Sequence, residues 1–374
     1  MPRPLWAEVD LEALVHNLKT IKKRLSPGTE IMAVVKANAY GHGAPAVAAA
    51  AIKGGARWLG VASLEEGLEL RQRSITAPIL ILGYTPPSDA EELVRGNFSQ
   101  TVFCWEQLED LNRVGARRGT PLAIHLKIDT GMGRLGFLPC QMEELWTVLK
   151  DLPYLRLEGV FTHLAWADGP HLSYTHKQIE AFQQALGLMR RANLSPLWIH
   201  AANSAGLLRL PQSHFNLVRT GILLYGYYPS PDLASLDLDL KPVLTLKTQI
   251  ISLKELPAGS CVSYGCTFKT SSPTRVAVLP VGYADGYAWN LSNKAQVLIR
   301  GQRVPVVGRV CMDHCMVDVT ALPEIQLGEE VVLVGGQGKE FISAEEVACW
   351  RGTMVYEVLT SISSRVARVY KGEI

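Results

Sequence analysis

The chain has 374 residues, 48% of them hydrophobic and 19% charged, which is typical of a compact folded protein and excludes intrinsic disorder. Its net charge of +2, with Lys and Arg spread along the chain, leaves no basic footprint for nucleic acid and no polybasic membrane patch. The first residues lack the apolar core of a signal peptide, and no apolar run is long enough for a membrane span. Seven scattered cysteines, an odd number, favour reduced thiols and a cytoplasmic location.

Eight short apolar runs rich in Val, Ile and Leu occur in the first part of the chain. They are residues 31–35, 58–62, 78–82, 101–103, 122–128, 157–162, 197–199 and 215–218. Most are continuous rather than alternating, as expected for strands covered on both faces. Helical patterns lie between them, including a capping box at Ser63 and Glu66 and a long amphipathic segment at 174–189. This alternation predicts an α/β fold in which residues 1–237 form a (β/α)₈ TIM-type barrel; a doubly wound sheet usually needs fewer units.

The pattern changes near residue 238, where strand-like segments separated by Gly and Pro become dominant. These segments are 245–253, 261–268, 276–281, 295–299, 304–310, 317–319 and 331–334. The only clear helical pattern lies late, around 343–350. We therefore expect residues 238–374 to form a separate, mostly β domain, with residues 1–10 as a segment that can pack on it.

Polar residues follow many of the predicted barrel strands, at the end where barrels carry their chemistry. In chain order they are Lys36, Ser63, Lys127, Asp129, Arg134, His163, His200, Asn203, Ser204 and Arg219. Each one alone also fits a solvated strand end. Because so many would meet on one rim, the set favours an active site.

Lys36 ends the first barrel strand and has two interpretations. It is either a surface lysine or a desolvated amine that is neutral and nucleophilic toward a carbonyl. Ser204 and Gly221 follow the seventh and eighth strands, where barrels often bind phosphate. An amine that attacks aldehydes, together with a phosphate site, points to pyridoxal 5'-phosphate as the cofactor.

Two further motifs suggest other ligands but lack the required context. Residues 131–136 read GMGRLG and match the dinucleotide fingerprint, yet Pro139 follows soon after and no helix opens on the glycines. Cys311, His314 and Cys315 resemble half a zinc site without a second pair at ligand spacing, so no metal is expected.

Motifs in both predicted domains resemble those of bacterial alanine racemases. In order they are AVVKANAYGHG, WLGVASLEEG, KIDTGMGRLG, FTHLAWAD, HAANSAG, VRTGILLYG, VSYGCTF, VGYADGY, GRVCMDHCMVDVT and GTMVYEVL. The resemblance covers nearly the whole chain in the same order. It implies a cytoplasmic isomerase that interconverts L- and D-alanine and supplies D-alanine for peptidoglycan, the cell-wall polymer.

The resemblance also implies a role for each matching residue. Lys36 would hold pyridoxal phosphate as a Schiff base and act as the base for the D-amino acid, while Tyr264 would be the base for the L-amino acid. The implied cofactor-binding residues are Tyr40, His163, Ser204, Arg219, Gly221, Ile222 and Tyr356. Arg134 and the backbone of Met312 would bind the substrate carboxylate. Supporting residues would be Lys127, carbamylated in many relatives, with His200, Asn203, Tyr283 and Asp313.

The resemblance further implies a head-to-tail homodimer in which each tyrosine base and each methionine comes from the partner subunit. A broad-specificity or serine racemase and a barrel-type decarboxylase are the alternative enzymes, and a non-catalytic pyridoxal phosphate carrier is the alternative from another class. A decarboxylase usually places a glutamate at the position of Arg219, and a carrier would lack the second domain and Tyr264. The sequence departs from the family pattern at His314 and Cys315, and at 287–290, where relatives often carry arginines lining the entrance.

Overall fold

The computed structural model describes residues 3–372, which divide into two compact units. We call them the barrel unit, formed by Ala13–Ala39 and Ala44–Lys241, and the β-rich unit, formed by residues 3–12, Tyr40–Gly43 and residues 242–372. The first strand, β1 (Leu5–Asp10), belongs to the β-rich unit. The short segment Tyr40–Gly43 also belongs to that unit, although it directly follows Lys36–Ala39 of the barrel unit.

Within residues 3–372, the barrel unit contains one parallel sheet of eight strands. The strands are β2 (Glu30–Val34), β3 (Trp58–Val61), β4 (Ile79–Ile81), β5 (Ser99–Val102), β6 (Leu122–Lys127), β7 (Leu155–Phe161), β8 (Trp198–His200) and β9 (Leu217–Thr220). The sheet runs in the order β8-β7-β6-β5-β4-β3-β2-β9. Between β8 and β9, Asn216 Oδ1 accepts from the backbone of Ile199 at 2.8 Å and the Arg219 N–H donates to the carbonyl of Ala202 at 3.0 Å. The predicted barrel is therefore confirmed as a nearly closed one.

Helices separate the barrel strands and present one apolar face inward. Their bounds are Leu11–Lys22, Ala44–Lys53, Leu64–Gln72, Ala90–Arg95, Trp105–Arg118, Met142–Val148, Ser173–Arg191 and Ser204–Arg209. In the longest one, Ile179, Phe182 and Met189 are buried at helical spacing. Strands β3 to β6 are buried at every position, which explains the continuous apolar sequences of β3 and β4. In β5 and β6 the buried positions also include polar residues, among them Gln100 and His125.

The β-rich unit holds the remaining strands and two helices of the described chain. They are β10 (Leu244–Gln249), β11 (Ser252–Leu256), β12 (Cys261–Val262), β13 (Phe268–Lys269), β14 (Thr274–Leu279), β15 (Gln296–Ile299), β16 (Gln302–Pro305), β17 (Cys315–Asp318), β18 (Glu330–Gln337), β19 (Glu340–Ile342) and β20 (Ala367–Lys371), with helices Ala344–Arg351 and Val355–Thr360. The larger sheet has the order β16-β15-β18-β10-β1-β20, with β19 added beside β18; β11-β14-β17 and β12-β13 form two smaller ones.

Short 3₁₀ turns connect many of these elements. They are Pro87–Asp89, Pro139–Gln141, Leu149–Asp151, Pro211–Ser213, Ile222–Tyr225, Pro231–Leu236, Tyr264–Cys266, Tyr283–Asp285 and Trp289–Leu291. No helix within residues 3–372 is both long and apolar enough to cross a bilayer.

Several expectations for the β-rich unit were wrong in detail. Residues 245–253 are not one strand but belong to two, β10 and β11, which lie in different sheets. Residues 261–268 are not one strand but a small hairpin, because Ser263, Gly265 and Cys266 take positive φ angles of 66°, 72° and 45° that end the extended chain. A second helix, Val355–Thr360, follows the predicted late helix. With only six residues, it is too short for a clear apolar period in the sequence.

Candidate active site

The backbone immediately after Lys36 is left-handed. Ala37, Asn38, Ala39 and Tyr40 all have φ between 52° and 54°, and these four consecutive non-glycine residues form a single left-handed turn. Such a conformation costs roughly 1–2 kcal/mol per residue because Cβ approaches the following carbonyl. Side chains and backbone hydrogen bonds hold it, among them Asn38 Oδ1 accepting from Ala44 N–H at 2.8 Å. The turn reverses the chain as it leaves β2 and fixes where the half-buried Lys36 side chain begins.

Glu66 anchors the start of this turn. Its carboxylate accepts from the backbone N–H groups of Ala37 and Ala62, each at 2.7 Å. The predicted capping box is therefore only half present: Ser63 accepts from the Glu66 backbone at 3.5 Å, but the Glu66 side chain turns toward the Lys36 segment instead of the Ser63 backbone. The residue that looked like a helix cap is thus part of the candidate site.

Lys36 has an amine that is easier to deprotonate than a surface lysine. Burial is the largest cause that lowers the pKa of this amine, and the nearby positive charge of Arg134 lowers it further. The negative charge of Glu66 raises it, but by less. Lys127 at the end of β6 shows the same effect more strongly, because burial, Arg134 and Arg219 lower its pKa to about 8. Four lysine and arginine side chains, Lys36, Lys127, Arg134 and Arg219, thus act on one another at this rim of the barrel.

Arg219 is fully enclosed at the end of β9 and surrounded by acceptors. Its Nη2 donates to the carbonyls of Thr162 at 2.8 Å and Ala201 at 2.9 Å, and it lies 3.2 Å from His163 Nδ1. Its Nη1 lies 2.8 Å from His200 Nδ1. Burial and Arg134 lower the pKa of Arg219 to about 9, which still leaves the guanidinium protonated at pH 7.

The Phe161 ring gives these cations an apolar floor. The Arg219 Cζ lies 5.2 Å and the Lys127 Nζ 5.8 Å from its centroid, and His200 stacks on the same ring at 4.6 Å. Burial, with Arg219 as the second cause, lowers the pKa of both His163 and His200 well below the usual value. Both imidazoles are therefore neutral at pH 7 and can accept from arginine.

The loop carrying the dinucleotide-like motif folds around a carboxylate instead of a phosphate. Asp129 accepts from four successive N–H groups, those of Gly131, Met132, Gly133 and Arg134, at distances of 2.7–3.1 Å. Burial raises the pKa of Asp129, but these four donors outweigh it and lower the pKa overall. The anion that the glycines accommodate is supplied by the chain itself, and the loop fixes the backbone at Arg134.

The predicted phosphate position in the barrel unit is held by hydrogen bonds between its own residues. The Gly221 N–H donates to Ser204 Oγ at 3.1 Å, and both residues are buried. Asn203 caps the helix Ser204–Arg209 by accepting from the Gly206 N–H at 2.9 Å. Ile222 opens the next turn and is also buried. The hydroxyl and two successive backbone amides are brought together by the loops after β8 and β9.

Tyr40 and Tyr356 meet inside the β-rich unit, with ring centroids 6.0 Å apart and planes tilted by 47°. Burial raises the pKa of Tyr40 to about 12, so its hydroxyl keeps its proton at neutral pH. A protonated phenol is a hydrogen-bond donor suited to an anion.

Tyr264 stands on the β12–β13 hairpin and is unusually open for an aromatic residue, at 71% exposure. It borders a cavity of about 550 Å³ inside the β-rich unit, lined by Tyr264, Tyr283, Trp289, Arg309, Val310 and Cys311. The Arg309 guanidinium lies 5.4 Å from the Trp289 ring centroid. The Tyr264 side chain is thus displayed at the edge of this cavity.

Met312 is held in an exposed loop by the neighbouring turn Tyr283–Asp285. The N–H groups of Tyr283 and Ala284 donate to the carbonyls of Cys311 at 3.0 Å and Met312 at 3.1 Å. Gly282 is required here, since a Cβ would lie 2.3 Å from both carbonyl oxygens. Asp313 pairs with Arg365 at 2.6 Å, and Arg365 also lies 3.4 Å from Asp285.

The half zinc motif does not assemble a ligand set. Cys315 is buried in β17, and burial raises the pKa of its thiol, whereas His314 is exposed. Among residues 3–372, no group of three or more His, Cys, Asp or Glu side chains is arranged to hold a metal ion.

Sequence reasoning missed three polar residues near the candidate site: Glu66, His125 and Glu158. The signal was present for two of them, since His125 and Glu158 interrupt strands that are otherwise read as buried and apolar. His125 Nδ1 lies 2.9 Å from His200 Nε2, and His200 Nδ1 lies 2.8 Å from Arg219 Nη1. His125 is therefore linked to Arg219 through His200.

Comparisons with known proteins identify the family. The profile described as "Alanine racemase, N-terminal domain" matches residues 9–229, and "Alanine racemase, C-terminal domain" matches residues 243–370. An alanine racemase of Symbiobacterium thermophilum is 50% identical over 371 residues, covering 99% of this chain and 98% of the relative.

Solved structures agree with the sequence matches. The alanine racemase of Bacillus anthracis with bound L-Ala-P matches with a TM-score of 0.93 at 40% identity, covering 100% of this chain and 96% of that one. The alanine racemase of the D-cycloserine producer Streptomyces lavendulae gives a TM-score of 0.95 at 37% identity, covering 100% and 98%. The chain belongs to the alanine racemase family and is an amino-acid isomerase.

Proposed function

We propose that this chain interconverts L- and D-alanine with pyridoxal 5'-phosphate bound at Lys36, and that Lys36 and Tyr264 are its two proton-transfer bases. The observation that carries the proposal is the environment of Lys36, a half-buried amine with a lowered pKa at the carboxyl end of a barrel strand. An amine of this kind reacts with carbonyls near neutral pH and can then accept a proton.

The residues present fit the cofactor. Ser204 with the amides of Gly221 and Ile222, and the Tyr40 hydroxyl that burial keeps protonated, supply donors suited to a phosphate. Lys36 supplies the amine for the aldehyde. When bound, the cofactor would stabilise negative charge at the substrate Cα, which makes the Cα proton removable.

Arg219 is the residue we assign to the ring nitrogen of the cofactor, with His163 against the ring. Because a guanidinium keeps its own proton, it donates a hydrogen bond to that nitrogen without protonating it. A carboxylate at this position would stabilise a protonated ring and a stronger electron sink. We infer that Arg219 limits side reactions such as transamination and decarboxylation, which favours a racemase over a decarboxylase.

Racemisation needs one base on each face of Cα. Lysine and tyrosine have similar reference pKa values, near 10, so comparable environments can poise both for proton transfer. We assign the proton of D-alanine to Lys36 and that of L-alanine to Tyr264. Arg134 and the backbone of Met312 would orient the substrate carboxylate, supported by Tyr283 and Asp313.

Lys127 is proposed to carry a carbamate formed with carbon dioxide. Its pKa of about 8 leaves an appreciable neutral fraction at pH 7, which is the form that reacts with carbon dioxide. The modification would replace a positive charge beside Arg134 with a negative one and so orient that guanidinium.

The active enzyme is proposed to be a homodimer with shared sites. Tyr264 and Met312 are 71% and 54% exposed, an arrangement suited to side chains that complete the site of a second subunit. The test is complementation between a Lys36→Ala chain and a Tyr264→Phe chain. Random mixing of equal amounts should restore about one quarter of wild-type activity, because half the dimers are hybrids with one intact site of two. No recovery on mixing would contradict shared sites.

The biological role we propose is supply of D-alanine for peptidoglycan in the cytoplasm. All seven cysteines are free, in keeping with a reducing compartment. The related enzyme of Bacillus anthracis was solved with L-Ala-P, which supports alanine over larger amino acids.

The experiment that tests the activity uses purified enzyme loaded with pyridoxal phosphate. L-alanine and L-serine are incubated separately, and the D-enantiomer is measured by chiral chromatography. We expect conversion of L-alanine to a racemic mixture with a much lower rate on serine. Equal rates would indicate a broad-specificity racemase, and no inversion of any amino acid would overturn the proposal.

A further inference from the structure

A chain of polar side chains crosses the interior of the barrel. Five adjacent strands each contribute one residue: Ser99 from β5, His125 from β6, Glu158 from β7, His200 from β8 and Arg219 from β9. Ser99 Oγ donates to Glu158 Oε2, and this carboxylate oxygen lies 3.6 Å from His125 Nε2. His125 Nδ1 is 2.9 Å from His200 Nε2, and His200 Nδ1 is 2.8 Å from Arg219 Nη1. The path therefore connects the amino end of β5 with the rim that carries Lys36.

The backbone is built to accommodate this chain. The register of β6 and β7 shifts so that Ile124 pairs with Leu157 but His125 pairs with Gly159, which leaves Glu158 as an extra, bulged residue. A Cβ on Gly159 would lie 2.4 Å from His125 Nδ1, so only glycine leaves room for the imidazole. Trp58 packs edge-on against the same ring at 5.2 Å. The bulge and Gly159 both make room for the buried His125 ring. This indicates that the position of His125 is specified by the fold.

The hydrogen bonds of the chain have only one consistent direction. A guanidinium can only donate, so His200 Nδ1 must accept from Arg219 and the proton of His200 must lie on Nε2. That N–H faces His125 Nδ1, which must accept in turn. The proton of His125 therefore lies on Nε2, the nitrogen nearest the Glu158 carboxylate.

We propose that Glu158 and His125 are positioning residues that hold His200 in the tautomer able to accept from Arg219, and thereby fix the guanidinium at the rim of the barrel. The 3.6 Å separation is longer than a direct hydrogen bond, so Glu158 acts through its charge, which favours the proton on the nearer nitrogen of His125. The inference deepens the proposed function, because it rests on the assignment of Arg219 to the cofactor ring.

The protonation states agree with this arrangement. Burial lowers the pKa of His125 despite the opposing effect of Glu158, and burial and Arg219 lower that of His200 well below its usual value. Burial raises the pKa of Glu158, but His125 and Ser99 outweigh it and lower the pKa to about 2. At pH 7 the chain thus consists of one carboxylate, two neutral imidazoles and one guanidinium. A doubly protonated His125 would set two N–H donors against each other at 2.9 Å.

The test is the tautomeric state of both histidines, read from ¹⁵N chemical shifts of histidine-labelled holoenzyme before any amino acid is added. We expect the proton on Nε2 in both His125 and His200, with resonances assigned through His125→Gln and His200→Gln variants. A proton on His200 Nδ1, or a doubly protonated His125 at pH 7, would overturn the proposal. The tautomers themselves are read on the wild-type protein, and the two variants serve only to assign the resonances.

The role of Glu158 is tested with Glu158→Gln and the charge-conserving Glu158→Asp. Glu158→Gln should lower the ratio of Nε2–H to Nδ1–H forms of His125 roughly 10-fold, since a full charge at this distance is lost. It should also reduce kcat about 10-fold with little change in KM, a size typical of residues that orient active-site ligands. Glu158→Asp, which keeps the negative charge, should retain much of the wild-type tautomer ratio and of the wild-type kcat. The matched control is Glu92→Gln, which removes an exposed carboxylate paired with Arg95 and should change neither.

The two proposals fail in different ways. Wild-type enzyme that does not invert alanine would overturn the proposed function, while the histidine tautomers would still be read. Unchanged tautomers and unchanged kcat in Glu158→Gln would overturn the positioning role and leave the racemase assignment intact.

Discussion

The substitution Ala37→Gly should stabilise the protein, although glycine normally destabilises an element of secondary structure. Ala37 has φ and ψ of 52° in the left-handed turn after Lys36, and its side chain is exposed, so little packing is lost. Glycine removes a left-handed penalty of roughly 1–2 kcal/mol. It also increases the conformational entropy of the unfolded chain, which costs about 0.4–1 kcal/mol. The expected net gain in the free energy of unfolding is therefore about 0.5–1 kcal/mol.

The matched control is Ala49→Gly in the right-handed helix Ala44–Lys53 of the same unit. There the same change should lower the free energy of unfolding by about 1 kcal/mol, because glycine is a poor helix former. Urea unfolding followed by circular dichroism gives both values from the shift in midpoint at constant m-value. If Ala37→Gly destabilises the protein as much as Ala49→Gly, the strain assigned to the left-handed turn is absent. We also expect a lower kcat for Ala37→Gly, since the anchor of Lys36 becomes less rigid.

Four further changes test other parts of the site. Glu158→Gln should reduce the free energy of unfolding by at most about 3 kcal/mol at pH 7, because the pKa of Glu158 falls from 4.5 to about 2 on folding. The contribution of Glu158 to stability is therefore complete above pH 4.5 and is lost as the pH falls toward 2. Urea midpoints of both proteins should converge over that range, and parallel curves would contradict the assignment. Arg134→Gln should raise the pKa of Lys36, because a nearby positive charge is removed. Acylation of Lys36, measured by mass spectrometry as a function of pH, should then have its midpoint at a higher pH. An unchanged midpoint would show that Arg134 does not act on the amine. Lys127→Ala should lose most racemase activity and regain part of it with added bicarbonate, and absence of rescue would count against the carbamate. Gly159→Ala should cost roughly 1–3 kcal/mol through its clash with His125, measured by thermal unfolding, and no loss would refute the tight packing around that ring.

The barrel could be predicted from sequence because strands covered on both faces give continuous apolar runs. All eight predicted runs overlap strands β2 to β9. The polar residues at their ends reach the same rim for the same geometric reason. Periodicity therefore placed Lys36, Lys127 and Arg219 at the carboxyl ends of strands, while their roles came from resemblance to a family.

Other features left no readable signal. Alanine has no preference for positive φ, so the residues ANAY gave no sign of the left-handed turn, which was not predicted. Glu66 stands three residues after Ser63 and so matches the sequence pattern of a capping box. In the structure its carboxylate accepts from the backbone of Ala37 instead. His125 and Glu158 lie far apart in sequence and meet only because of the bulge between β6 and β7. Such pairings depend on register, which hydrophobic pattern alone does not specify at the level of one residue.

The central claim is that Lys36 and Tyr264 transfer protons on opposite faces of the substrate. It is tested most directly by Cα exchange in heavy water, followed by mass spectrometry and chiral separation, for the wild-type enzyme and Tyr264→Phe loaded with pyridoxal phosphate. We predict that wild type places deuterium at Cα of the inverted product from either enantiomer. Tyr264→Phe should still exchange the Cα proton of D-alanine, through Lys36, but neither exchange that of L-alanine nor invert either enantiomer. Exchange of L-alanine by Tyr264→Phe at the wild-type rate, or exchange by wild type without inversion, would contradict the two-base account.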